Sequence, residues 1–122
     1  MSRRILVVED HHDTSFTLCR LLKLEGYEVE HAIDGVAGFS TAATLHPDLI
    51  VTDLQMPRMN GIEMIKRIRE DFGLNGTRIL VMSAYGRRTL DEAMEAGAND
   101  FIEKHLDFDS LLAKVREALP AV

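Results

Sequence analysis

The chain has 122 residues, with 14 Lys+Arg against 20 Asp+Glu for a net charge of −6; 46% of it is hydrophobic and 28% charged. These values describe one globular domain, residues 1–122, with a single ordinary core. They exclude a general nucleic-acid binder, because phosphate backbones demand Lys and Arg, and leave room for a cation site or basic protein partners. The one cysteine, Cys19, excludes an internal disulfide and a cysteine-based zinc cluster. MSRRILVVED is too short in its apolar part for a secretory signal, and no run approaches the ~18 apolar residues of a membrane span. A cytoplasmic protein with no membrane contact is expected.

The first strand is predicted at residues 5–8, ILVV, a continuous apolar run. Leu18, Leu21 and Leu22 then recur at helical spacing, and Gly26 is placed to end that helix. YEVEHA, residues 27–32, predicts a second strand interrupted by charge. Asp34-Gly35 marks a turn before a helix of small residues over 36–45, which Pro47 stops. LIVT, residues 49–52, is the third strand. Asn60-Gly61 is a turn signal, and Gly61, Ile65, Ile68 and Phe72 share one face of a third helix. RILVMSA, residues 78–84, gives the fourth strand, residues 89–96 a short fourth helix, and Gly97 its stop. DFIEK, residues 100–104, is a fifth strand, less apolar and therefore placed at an edge. Leu111, Leu112, Val115, Ala118 and Leu119 line a last helix, with Asp107 or Asp109 as its N-cap.

Strands alternating with helices imply a parallel sheet covered on both faces by right-handed crossovers. The most apolar runs, strands one, three and four, belong in the middle. Five strands on this plan predict an α/β, doubly wound, flavodoxin-like sheet of order 2-1-3-4-5.

In such sheets, sites gather beyond the carboxyl ends of the strands. Glu9 and Asp10 follow the first strand and Asp53 the third; Ser83 ends the fourth and Lys104 the fifth. The order makes strands one and three neighbours, which sets Asp10 beside Asp53. Ser83 falls on one flank and Lys104 farther out. Three carboxylates at one edge repel, and a hard cation relieves the repulsion; all-oxygen ligands suit Mg²⁺, Mn²⁺ or Ca²⁺. Mg²⁺ keeps several waters and commonly shares its coordination with a phosphoryl group, so few protein ligands suffice. A carboxylate beside a cation, an ammonium and a hydroxyl is suited to accept a phosphoryl group. Asp53 is then the nucleophile, Lys104 and the cation neutralise the transferring oxygens, and Ser83 donates to one of them.

Together, VVED (7–10), TDLQMPRMNG (52–61), MSA (82–84) and GANDFIEK (97–104) resemble the receiver domain of bacterial two-component response regulators of the chemotaxis-regulator type. The resemblance spans essentially the whole chain. It implies that Asp53 accepts a phosphoryl group from a histidine kinase or a histidine phosphotransfer protein, with Mg²⁺ or Mn²⁺ as cofactor. It implies that Asp10 and Asp53 hold the ion directly, Glu9 through water, and Gln55 through its main-chain carbonyl. Ser83 matches the switch hydroxyl, Lys104 the site lysine, and Phe101 the switch aromatic that turns inward on phosphorylation. Gln55 and Tyr85 fall where family members tune hydrolysis of the acyl phosphate. A downstream output domain or partner protein is implied at the face of the fourth helix, fifth strand and fifth helix, as is a phosphorylation-dependent homodimer. A receiver assists its own phosphotransfer and dephosphorylation and turns over no external substrate. Glu9 departs from the Asp of many members. His105 stands where the family usually has a proline joined to the lysine by a cis bond. Without proline, cis costs ~2.5–4 kcal/mol, so the 104–105 bond is either strained or trans with a rearranged loop.

An alternative is a pseudo-receiver, the same fold acting as a constitutive interaction module. The complete acidic set argues against it. A flavin site is disfavoured because EDHHD, residues 9–13, is acidic and lacks amides to cradle a phosphate. An aspartyl phosphatase wants a second acid two residues past Asp53, where Gln55 stands. Plain structural roles compete residue by residue. Glu9-Asp10 can cap the first helix, Ser83 can be a loop hydroxyl, Lys104 a solvated charge and Phe101 a core ring. Cys19 is expected against the sheet, and Met56, Met59, Met64 and Met82 as core and loop filler. His11-His12-Asp13 offers ligand types, but adjacent side chains diverge, which argues against a transition-metal site.

Overall fold

The computed structural model describes residues 3–54, 59–83, 87–103 and 107–119. Strands and helices alternate as β1 (Arg4–Val8), α1 (His12–Leu24), β2 (Glu28–Ala32), α2 (Gly35–Leu45), β3 (Leu49–Asp53), α3 (Gly61–Glu70), β4 (Arg78–Ser83), α4 (Arg87–Ala96), β5 (Asp100–Glu103) and α5 (Phe108–Ala118). The strands are all parallel in the order β2-β1-β3-β4-β5, the doubly wound order expected from the apolar runs.

Side chains alternate across a strand, so each strand feeds two cores. Ile5, Val7, Leu49, Val51, Leu80 and Met82 pack against Leu18 and Leu22 of α1 and Leu111, Leu112 and Val115 of α5. Half-buried Cys19 lies against this side, where burial pushes its thiol above the usual range. Leu6, Val8, Ile50, Ile79 and Val81 pack on the other face against Ala42, Met64, Ile65, Ile68, Leu90 and Ala93 from α2, α3 and α4. All of β3 is buried, which accounts for its apolar run Leu49–Val51 ahead of the buried Thr52 and Asp53.

Side chains cap the helices. Asp34 Oδ1 accepts from Ala37 N at 2.8 Å, Asn60 Oδ1 from Glu63 N at 2.9 Å and Asp107 Oδ1 from Ser110 N at 2.8 Å, which settles the last cap on Asp107. Asn60-Gly61 is therefore the turn into α3, with Asn60 its cap and Gly61 its first residue. The cap of α1 is His11, whose Nδ1 accepts from Thr14 N at 3.4 Å. Neither Glu9 nor Asp10 does this job. Glu9 still runs with the sheet, its N–H donating to Ala32 O at 3.0 Å, so the helix begins later.

The third helix is shorter than its apolar spacing suggests. It ends at Glu70, and Phe72 lies beyond it, 95% exposed. Asp71 turns the chain by accepting from Gly73 N at 2.8 Å, and Leu74, 1% exposed, takes the core position instead. Phe72→Ser should therefore move unfolding stability by no more than about 0.5 kcal/mol in a urea titration. A larger loss would mean that the ring is packed.

At the edge of the sheet where the strands begin, Arg69 of α3 joins three segments. Its Nη1 donates to Asn75 O at 2.8 Å and Thr77 O at 2.6 Å, its Nη2 to Asn99 Oδ1 at 2.9 Å, and its Nε to Gly97 O at 2.9 Å. Gly97 has φ +126°, and a Cβ there would sit 2.6 Å from Arg69 Cγ, so glycine is required at the end of α4.

Candidate functional site

β1 and β3 lie side by side with Val8 opposite Thr52, so Glu9 and Asp53 come off the sheet as neighbours. Glu9 is 0% and Asp53 5% exposed, while Asp10 is open to solvent. Carboxylate oxygens of Glu9, Asp10 and Asp53 all lie within 4.8 Å of one another. Two of the three acids are buried, and the all-oxygen donor set fits a hard divalent ion, which would offset their mutual repulsion.

Local bonds orient the acids. Asp53 Oδ1 accepts from Leu54 N at 2.7 Å, and the Asp53 carbonyl accepts from Thr52 Oγ1 at 2.7 Å. Glu9 Oε2 accepts from His11 N at 3.3 Å. The Glu9 carbonyl lies 2.8 Å from His31 Nε2; a carbonyl only accepts, so that nitrogen carries the proton. His11 and His31 thus support the acids instead of forming a histidine metal cluster. Behind the site, Gly61 N donates to Leu54 O at 2.9 Å, and a Cβ on Gly61 would lie 2.5 Å from Asp53 O. The start of α3 is pressed directly against the strand end that carries Asp53.

Ser83 ends β4, next to β3, and is 1% exposed. Phe101 lies in β5 opposite Val81, half-buried against the α2–α4 core, with the Arg87 guanidinium 5.5 Å from its ring centre. Gln55, Met56, Tyr85, Lys104 and His105 lie outside the described residues. The structure therefore brings Glu9, Asp10 and Asp53 together and sets Ser83 and Phe101 on successive strands beside them. Thr52, His11, His31 and Gly61 were not singled out as site supports from sequence. Thr52 and Gly61 carry a weak signal, a hydroxyl before the aspartate and a glycine at a helix start. The contact of His31 with Glu9 spans the β1–β2 pairing and has no local signal.

A five-stranded parallel sheet of this order, with three acids gathered at the ends of the adjacent interior strands β1 and β3, defines a class of flavodoxin-like signalling domain. The chain belongs to the response regulator receiver domain family, whose model matches residues 5–116. It is 33% identical over 117 residues to the DNA-binding dual master transcriptional regulator RpaA of Synechocystis, covering 95% of this chain and 48% of that protein. Among solved structures it resembles the chemotaxis response regulator CheY4 of Vibrio cholerae, with TM-score 0.92, 28% identity, and coverage of 98% of this chain and 100% of that one. It also resembles the response regulator TrrA of Thermotoga maritima, solved in complex with Mg²⁺-BeF, with TM-score 0.86, 31% identity, and coverage of 96% and 99%. The chain spans about half the length of the curated relatives it matches. No helix among the described residues is long and apolar enough to cross a membrane.

Proposed function

We propose that this domain is the phosphorylation-dependent switch of a two-component system and that Asp53 is its phosphoacceptor. The observation that carries this is the meeting of Glu9, Asp10 and Asp53 oxygens within 4.8 Å at the ends of two adjacent strands. A constitutive pseudo-receiver has no need of that assembled set. Asp10, Asp53 and the Gln55 main-chain carbonyl would hold Mg²⁺, or Mn²⁺ in its place, directly, and Glu9 would hold it through water. The ion supplies charge neutralisation on the phosphoryl oxygens. The TrrA complex with Mg²⁺-BeF supports this pairing of ion and phosphoryl-like group.

In the transfer, an Asp53 carboxylate oxygen attacks the phosphorus of a phosphohistidine on a histidine kinase or histidine phosphotransfer protein. The new O–P bond forms as the P–N bond breaks, and the electron pair returns to the imidazole. Ser83 donates to one phosphoryl oxygen and the Lys104 ammonium neutralises another. Water later cleaves the acyl phosphate, at a rate tuned by Gln55 and Tyr85. Ser83 and Phe101 carry the change to the face of α4, β5 and α5, where an output domain, a partner protein or a second phosphorylated copy docks. RpaA is named as DNA-binding, which supports a DNA-bound output domain as one destination of the signal. The domain works in the cytoplasm, makes no contact of its own with nucleic acid, and turns over no external substrate.

Cation dependence tests this reading. Incubated with acetyl phosphate and Mg²⁺, the protein should gain one phosphoryl group per chain, read by intact mass. Excess chelator, or Asp10→Asn, should cut the initial rate by about tenfold or more, the usual scale for damage to a metal site. Undiminished uptake under both conditions would contradict it.

A further inference from the structure

The two ends of α4 are anchored very differently. At its C-terminal end the Gly97 carbonyl is gripped by Arg69, which also bonds Asn75, Thr77 and Asn99. That end is fixed to α3, to the loop before β4 and to the residue before β5. The N-terminal end lies four residues past Ser83 and has no such fastening among the described residues. It begins with Arg87 and Arg88 and has no acid in its first turn. Cations at a helix N-terminus oppose the helix dipole.

The pairs that offset this are weak. Arg87 Nε lies 3.2 Å from Asp91 Oδ1 and Arg88 Nε 3.9 Å from Glu92 Oε1, both largely exposed. The arginine precedes the acid in each, the poorer orientation for a helical i,i+4 pair. Neither explains a basic start to this helix. Among the described residues the other partner is the ring: the Arg87 guanidinium sits 5.5 Å over Phe101, within cation–π range. This contact joins the first turn of α4 to β5, and Phe101 is itself half-buried against the core that α4 covers.

We propose that Arg87 is a positioning residue: seated on the Phe101 ring, it makes the first turn of α4 move with that ring, while the far end of the helix pivots where Arg69 holds Gly97. This rests on the reading of Asp53 as phosphoacceptor and Phe101 as the ring that moves. Arg87 does not touch the phosphoryl group in this account. It acts through Phe101 and sets how tightly the ring's position is coupled to the helix. Removing the contact alters the balance between the two arrangements of α4 and leaves the acidic site intact.

The test uses the whole protein with Arg87→Gln and Arg87→Lys, titrated with beryllofluoride and Mg²⁺ as a phosphoryl analogue and followed by NMR at the Phe101 ring and the amides of residues 87–90. In wild type, ring and helix signals should shift together. In R87Q the apparent affinity should differ from wild type by about two- to fivefold, the weight of an exposed cation–ring contact. Its helix signals should also shift less than its ring signals. R87K keeps a cation over the ring and should recover wild-type coupling. Arg87 is exposed, so thermal unfolding should be alike in all three, which separates coupling from folding. Identical affinity and identical coupling in R87Q and wild type would overturn the proposal, and so would R87K behaving as R87Q. Failure of the wild type to bind beryllofluoride with Mg²⁺ would instead strike the phosphoacceptor reading.

Discussion

Arg69→Met should destabilise the domain by about 2–4 kcal/mol, the scale of several charge-assisted hydrogen bonds lost together. One guanidinium here satisfies three backbone carbonyls, at Asn75, Thr77 and Gly97, and the side chain of Asn99. Asn99 Oδ1 also accepts from Ile79 N at 2.7 Å, so the same cluster fixes the start of β4. Burial, and then the nearby Arg78, lower the Arg69 pKa from its ordinary value, yet a guanidinium stays charged at any ordinary pH. Arg69→Lys should recover little, because a single ammonium cannot reach four acceptors spread around a planar fork. Denaturant unfolding measures the loss, and amide exchange at residues 97–99 should speed up with it. Wild-type stability in R69M would mean that water replaces the guanidinium at all four acceptors without cost.

Gly61→Ala should cost about 1–3 kcal/mol, the usual range for forcing extra volume into a packed position. An added Cβ would meet Asp53 O at 2.5 Å and Leu54 Cα at 2.8 Å. Both are main-chain atoms of the segment that aims Asp53, so relief must come from moving that segment or the start of α3. The consequence reaches the chemistry. The variant should take up phosphoryl from acetyl phosphate more slowly than wild type even under conditions where it is fully folded. A folded Gly61→Ala domain with wild-type stability and uptake would show that α3 can retreat without disturbing Asp53.

The strand order was legible because burial on both faces leaves a plain record. Ile5 to Val8 and Leu49 to Val51 are apolar at every position, and both strands lie inside the sheet. The three acids were legible because each falls where such a run stops and the order makes the runs neighbours. Phe72 was misplaced because its spacing continues the helical stripe of Ile65 and Ile68. The turn made by Asp71 and Gly73 ends the helix first. The competing role of Glu9-Asp10 as a cap of α1 falls away because Glu9 is still bonded into the sheet through Ala32 and His11 takes the cap, which no residue pattern before the helix announces. Arg69 gave no sign of its role: its acceptors lie 6 to 30 residues away and most are main-chain oxygens, which no side-chain pattern encodes. The role of Gly61 was hidden for the same reason, since Asn60-Gly61 reads locally as a turn and only the packed fold shows Asp53 behind it.

Site mapping shows whether Asp53 carries the phosphoryl group. An acyl phosphate is reduced by borohydride, which converts a phosphorylated aspartate to homoserine. Treated with acetyl phosphate and Mg²⁺, reduced and digested, wild type should show homoserine at position 53 alone, and Asp53→Asn should take up no phosphoryl group. Homoserine at Asp10 or elsewhere in place of Asp53, or full labelling of Asp53→Asn, would contradict the account.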